Sequence, residues 1–188
     1  MARQLAAALA GVGVRAVLVD SNYHHVAESR LAGLEAHHGN ALAEDTLDGL
    51  DLAGVGRMLA MTANDEVNTL AAIQFREVFS GAEVYRLPPA DERSGNGLGG
   101  GRTLFGPDAH YESLAEALDK GAVLRATALT EAFTFADYKS HYGPRATPLC
   151  LVTDGGRLTF FTTDARPSPK PGHTLISLIH PEDSDGQG

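Results

Sequence analysis

Arg15-Ala16-Val17-Leu18-Val19-Asp20-Ser21-Asn22 decides the fold class of this chain. A short apolar run from Ala16 to Val19 reads as a strand and closes on a carboxylate. Asn22 then stands where a helix can start, because its side chain accepts from the first unpaired N–H groups. That helix runs to about Leu34, with Val26, Leu31 and Leu34 on one side. Upstream, Gln4 to Leu9 is rich in alanine and leucine and suits a helix, ended by Gly11 and Gly13. Downstream, Ala36 to His38 is a brief strand before Gly39-Asn40-Ala41, and Asp45 to Leu52 reads as a short helix. Arg57 to Met61 is the next strand. Thr62 and Asn64 precede Asp65 and Glu66, so negative charge sits at a helix N-terminus, where the dipole favours it. This helix runs to about Phe79, with Leu70, Ile73 and Phe75 among its apolar residues. Glu83 to Leu87 is a strand stopped by Pro88-Pro89. Strands alternating with helices at this spacing need crossover connections and predict a parallel sheet covered on both faces.

The pattern changes after Pro89. Residues 90–106 form a flexible Gly-rich linker by composition. Its glycines do not make a phosphate loop, since no Gly-Lys-Ser/Thr follows and no strand-to-helix turn holds them. Beyond it, Tyr111, Leu114, Ala115 and Leu118 fit a helix ended by Gly121. Ala122 to Leu129 reads as a strand, and Phe135, Tyr138 and Tyr142 as a core-facing aromatic stripe on a helix stopped at Gly143-Pro144. Pro148 to Thr153, the Asp154-Gly155-Gly156 turn and Leu158 to Thr162 form a hairpin. Thr174 to Ile179 returns as a further strand. The expected organisation is a doubly wound parallel α/β domain over 1–89, the linker over 90–106, a small α+β domain with antiparallel strands over 107–180, and a disordered polar tail over 181–188.

Composition narrows the function. Hydrophobic residues are 43%, charged residues 21%, and the formal net charge is −9. So acidic a chain is repelled by nucleic-acid phosphates and anionic lipid. No apolar run approaches the ~18 residues of a membrane helix, and direct membrane insertion is not expected. The apolar N-terminal stretch is interrupted by Gly11, Gly13 and Arg15, which argues against a signal peptide. Cys150, alone in an apolar run, reads as a buried, inert thiol. His24-His25 and His37-His38 are sequence neighbours whose side chains diverge, so neither pair is expected to hold a metal.

Asp20 is the candidate binding residue. An acid closing the second strand of a dinucleotide-binding fold accepts hydrogen bonds from ribose hydroxyls. The full pattern is a strand, Gly-x-Gly-x-x-Gly/Ala, a helix, and the acid ~20 residues on. If Ala2 holds the last position of the pattern, Asp20 falls at that distance. The Rossmann-like sheet is then expected to lack its first strand and both leading glycines, whether as a fragment of a longer protein or through a late start. Nucleotide binding is correspondingly expected to be weak or absent in the truncated chain. An acid at a strand end is also an ordinary turn or capping residue.

The order of Ala2-Arg3-Gln4-Leu5-Ala6, Val17-Leu18-Val19-Asp20, Gly39-Asn40-Ala41 and Met61-Thr62-Ala63-Asn64-Asp65-Glu66-Val67-Asn68 resembles the nucleotide-binding TrkA-N, or RCK, domain over roughly residues 1–87. Thr147 to Thr153, Gly155-Gly156-Arg157-Leu158 and Lys170-Pro171-Gly172-His173-Thr174-Leu175-Ile176 resemble its companion C-terminal domain. The whole is similar to the cytoplasmic end of bacterial sodium:proton antiporters. The resemblance implies a non-enzymatic regulator of monovalent-cation transport, dimeric and attached to a membrane transporter at the inner face of the membrane. It implies that Asp20 holds the adenosine ribose, flanked by Ser21 and Asn22. Gly39, Asn40 and Ala41 would lie beside the adenine, Thr62 and Ala63 near phosphates and ribose, and Arg86 at the end of the fifth strand. The family commonly has Asp where Asn40 stands. The implied ligand is NAD(H), ATP, ADP or AMP, since a carboxylate at Asp20 disfavours the 2′-phosphate of NADP.

Two other readings compete. An oxidoreductase would use the same fold, but no Tyr-x-x-x-Lys pair and no recognisable proton donor accompany it. A dimeric scaffold that binds no nucleotide is favoured by the missing strand.

Overall fold

In a computed structural model the chain is described over residues 1–43, 46, 49–79, 83–91 and 100–182. Helix α1 (Ala2–Ala10) buries Leu5, Ala6 and Leu9. Strand β1 (Val17–Asp20) follows, then α2 (Tyr23–Leu31), capped as expected by Asn22, whose side chain accepts from the His24 N–H. Strand β2 (Glu35–His38) pairs in parallel with β1, Val17 opposite Glu35 and Asp20 opposite His38. At the foot of β1, Arg15 forks onto Glu35 at 2.9 and 3.0 Å and donates to the carbonyls of Asp51 and Ala53. The Arg15 hydrogen bond holds the Glu35 carboxyl below its usual range.

Strands β3 (Met58–Ala60), β4 (Val84–Arg86) and β5 (Arg102–Thr103) form a second parallel sheet in that order. Helix α3 (Asp65–Gln74) connects its first two strands and starts at Asn64, whose side chain accepts from the Val67 N–H. The fold is mixed α/β, with parallel sheets and a separate antiparallel sheet. The parallel part is two pieces, β2-β1 and β3-β4-β5, and among the described residues no strand pairs the other edge of β1 or of β3.

The second half comprises α4 (Tyr111–Asp119), β6 (Val123–Ala128), α5 (Phe135–Tyr142), β7 (Ala146–Val152), β8 (Leu158–Phe160) and β9 (Thr174–Ile179). Its antiparallel sheet has the order β6-β9-β7-β8. A reciprocal capping box of Thr134 and Asp137 starts α5, and the Tyr138 hydroxyl donates to Ser177 at 2.7 Å in the core. Cys150 is fully buried, and burial pushes its thiol up to about 12, which makes it inert.

The structure corrects four local expectations. Helix α2 stops at Leu31, which is 89% exposed rather than on the packed side. Gly33 at φ 76° breaks the helix, and Leu34 enters the core from the turn. Helix α3 stops at Gln74, and Leu70 and Ile73 face outward. Its packed side is Asn68, Thr69, Ala71 and Ala72, small enough for the chain to pass close at Gly100, where a Cβ would lie 3.0 Å from the Thr69 carbonyl oxygen. Arg102–Thr103, within the stretch read as linker, forms β5, and Leu104 is fully buried. Asp51 and Leu52, read as the end of a short helix, are not helical; part of that helix, residues 92–99 of the Gly-rich stretch and residues 183–188 of the tail lie outside the described residues.

One apolar cluster draws on both halves. It joins Leu5 and Leu9 of α1, Met61, Tyr85 and Leu87 to Leu149, Phe160 and Ile176 of the antiparallel sheet. Arg102 reinforces this joint, lying over the Tyr85 ring at 5.6 Å and pairing with Asp164 at 3.2 Å.

Candidate functional site at the strand ends

The residues expected to bind ligand all stand at or just beyond the C-terminal ends of parallel strands. This is where open α/β sheets place their ligands, because crossover helices begin there and strand ends splay. Asp20 ends β1 and Arg86 ends β4. Gly39 follows β2 directly, and Thr62 follows β3 by one residue.

Parallel pairing of β1 with β2 brings two of the expected groups together. The Gly39 N–H donates to the Asp20 carbonyl at 3.1 Å, so Gly39-Asn40-Ala41 lies beside Asp20-Ser21-Asn22. His38 meets the Ser21 carbonyl through Nε2 at 3.1 Å. The Asn40 side chain accepts from the Leu42 N–H and shapes the turn. A pocket of about 480 Å³ opens here, lined among others by His38, Gly39, Asn40, Thr46 and Leu50. The Asp20 carboxylate accepts from the Asn22 N–H at 2.8 Å and faces His25 Nδ1 at 3.0 Å.

Thr62 and Ala63 belong to a separate loop, and no hydrogen bond joins them to the Asp20 group among the described residues. Thr62 is held by Asn68: its N–H and hydroxyl both donate to Asn68 Oδ1 at 2.8 Å, and Asn68 Nδ2 donates back to the Thr62 carbonyl at 2.9 Å. Asn68 is 1% exposed. Spacing alone assigns Asn68 no role; its signal in the sequence is an asparagine inside a helix, where it is a poor helix former unless its side chain has partners. Asn68→Ala is expected to cost about 2–3 kcal/mol, three hydrogen bonds at ~1 kcal/mol each, with faster amide exchange at Thr62. Unchanged exchange there would show that the loop keeps its shape without Asn68.

Arg86 is buried at 8% exposure, and its Nη1 donates to Thr69 Oγ1 of α3 at 3.3 Å. It therefore braces β4 against α3. Among the described residues no group of three or more His, Cys, Asp and Glu gathers to hold a metal ion. No helix of the described residues is long and apolar enough to cross a membrane.

Parallel strands joined by helices, an acid closing one strand and a glycine turn beside it define a Rossmann-like α/β fold. Residues 1–87 match the family of the TrkA-N domain, the stretch and the family that the residues themselves resemble. No curated protein matches the chain. Among solved structures, a crystal structure of the GsuK RCK domain is similar at 16% identity, with a TM-score of 0.44 over 94% of this chain and 41% of that one. A structure of the GsuK channel is similar at 12% identity, with a TM-score of 0.45 over 95% and 35%. The chain thus spans well under half the length of either solved chain.

Proposed function

We propose that this chain is a non-enzymatic regulatory module of a monovalent-cation transport system. In this reading it binds NAD(H) or an adenine nucleotide and acts on a membrane transporter through a dimer whose arrangement depends on ligand. The observation that carries it is the TrkA-N match over residues 1–87, with Asp20 and the Gly39-Asn40-Ala41 turn side by side at the strand ends. The antiparallel half would be the companion C-terminal domain, the transporter a sodium:proton antiporter or potassium system, and the location the cytoplasmic face of the membrane. Asp20 would accept the ribose hydroxyls, with Ser21 and Asn22 beside it. Gly39, Asn40 and Ala41 would border the base, and Thr62, Ala63 and Arg86 would complete the phosphate side. A ligand shifts the dimer only by as much as it prefers one arrangement over the other.

Calorimetry with ATP, ADP, AMP and NADH tests the reading. Asp20→Asn keeps an acceptor for the Asn22 N–H but removes the charge. It is expected to weaken binding by about 1.5–3 kcal/mol, the worth of a hydrogen bond to a charged group. Equal affinity in the variant would remove Asp20 from the site. No binding by any of the four would leave the nucleotide-free scaffold as the better account.

A further inference from the structure

We propose that His25 sets the affinity of the Asp20 site by occupying the carboxylate oxygen that a ribose hydroxyl would take. The inference rests on the nucleotide-binding reading and adds a residue that works against the ligand.

The local sequence forces the pairing. Asn22 caps α2, which puts His25 in the first turn of the helix, shortly after Asp20 closes β1. Asp20 Oδ1 is fixed by the turn, accepting from the Asn22 backbone at 2.8 Å. Oδ2 faces His25 Nδ1 at 3.0 Å. Both carboxylate oxygens are thus engaged before any ligand arrives. The two contacts are not equal. The Asn22 N–H belongs to the backbone and stays, whereas the imidazole can swing away by rotating its side chain.

Exposure makes the exchange feasible. The His25 side chain is 60% and the Asp20 side chain 43% exposed, so a ligand can reach the pair from solvent. The neighbouring charged and titratable groups are otherwise committed or turned elsewhere. Glu28 of α2 pairs with Arg3 of α1. His38 of β2 meets the Ser21 carbonyl, and its ring and that of His24 each sit edge-on to Tyr23. Among the described residues, His25 is the side chain that contacts the Asp20 carboxylate. A ribose hydroxyl that approaches Oδ2 along the direction the imidazole holds must displace it.

The competition predicts an affinity gain on removing the imidazole. An exposed pair of this kind is worth little, so His25→Ala is expected to bind ATP about two- to fivefold more tightly than the wild type. The gain should vanish with 2′,3′-dideoxy-ATP, which offers Asp20 no hydroxyl. It should also vanish in the Asp20→Asn background, so that the double-mutant cycle returns a coupling equal to the whole gain. A merely structural role for His25 would move all three measurements together. His25→Ala binding ATP as weakly as the wild type, or more weakly, overturns the proposal while the nucleotide reading stands. An equal gain with the dideoxy analogue overturns it too. Failure of the wild type and of His25→Ala to bind ATP, ADP, AMP or NADH sinks the nucleotide reading and this inference with it.

Discussion

Phe160→Ala is expected to destabilise the chain by about 3–5 kcal/mol, the usual cost of emptying a buried aromatic site. Phe160 is 1% exposed and packs its ring 5.1 Å from that of Tyr85. Tyr85 belongs to β4 of the parallel sheet and Phe160 to β8 of the antiparallel one. The same cluster holds Leu5 and Leu9 of α1. The loss should therefore be felt on both sides of the joint. Urea unfolding would give the free energy from the shift in midpoint. Hydrogen exchange would give its location: amides of α1 and β4 should lose protection together with those of β7 and β8. Loss confined to the antiparallel sheet would mean that the two halves are stabilised separately.

Gly101→Ala is expected to cost about 2–6 kcal/mol, by a different route. Gly101 sits at φ 76°, and a Cβ there would lie 2.8 Å from the Val84 carbonyl oxygen and 3.1 Å from its carbon. The backbone strain alone is worth about 1–3 kcal/mol, and the clash adds about 1–3 kcal/mol because the obstacle is backbone that cannot step aside. The short strand β5 would part from β4, losing the pairing of Tyr85 with Arg102. Gly13 provides the control: it has φ 79°, but nothing lies within 4 Å of a Cβ built on it. Gly13→Ala should therefore show the strain without the clash. Equal melting temperatures for the two variants would show that the close approach at Gly101 carries no weight.

Much of the site was legible from the residues because its geometry is local. Asn22 and Asn64 cap their helices as their positions after strands suggest. The neighbourhood of Asp20 and Gly39 follows once β1 and β2 are parallel and in register, since each residue closes or follows its strand. Three features were less accessible. Leu31 reads as lying on one apolar side with Val26 and Leu34, yet faces outward, as Leu70 does on α3. The resemblance implies Arg86 as a ligand contact, and only the structure adds that its guanidinium meets Thr69. His25 reads as an ordinary surface residue until its ring is seen on the Asp20 carboxylate.

By itself the sequence determined most of the strands and helices, their parallel and antiparallel grouping, and the resemblance of residues 1–87 to the TrkA-N domain. These depend on periodicity, caps and turn residues acting over a few positions. Only the tertiary structure decided that α1 and β4 share a core with the antiparallel sheet, and which helix face each apolar residue takes. It also decided that the expected ribose acceptor already holds a partner. Those outcomes depend on which surfaces meet across the fold, and side-chain packing between distant segments leaves no spacing to read.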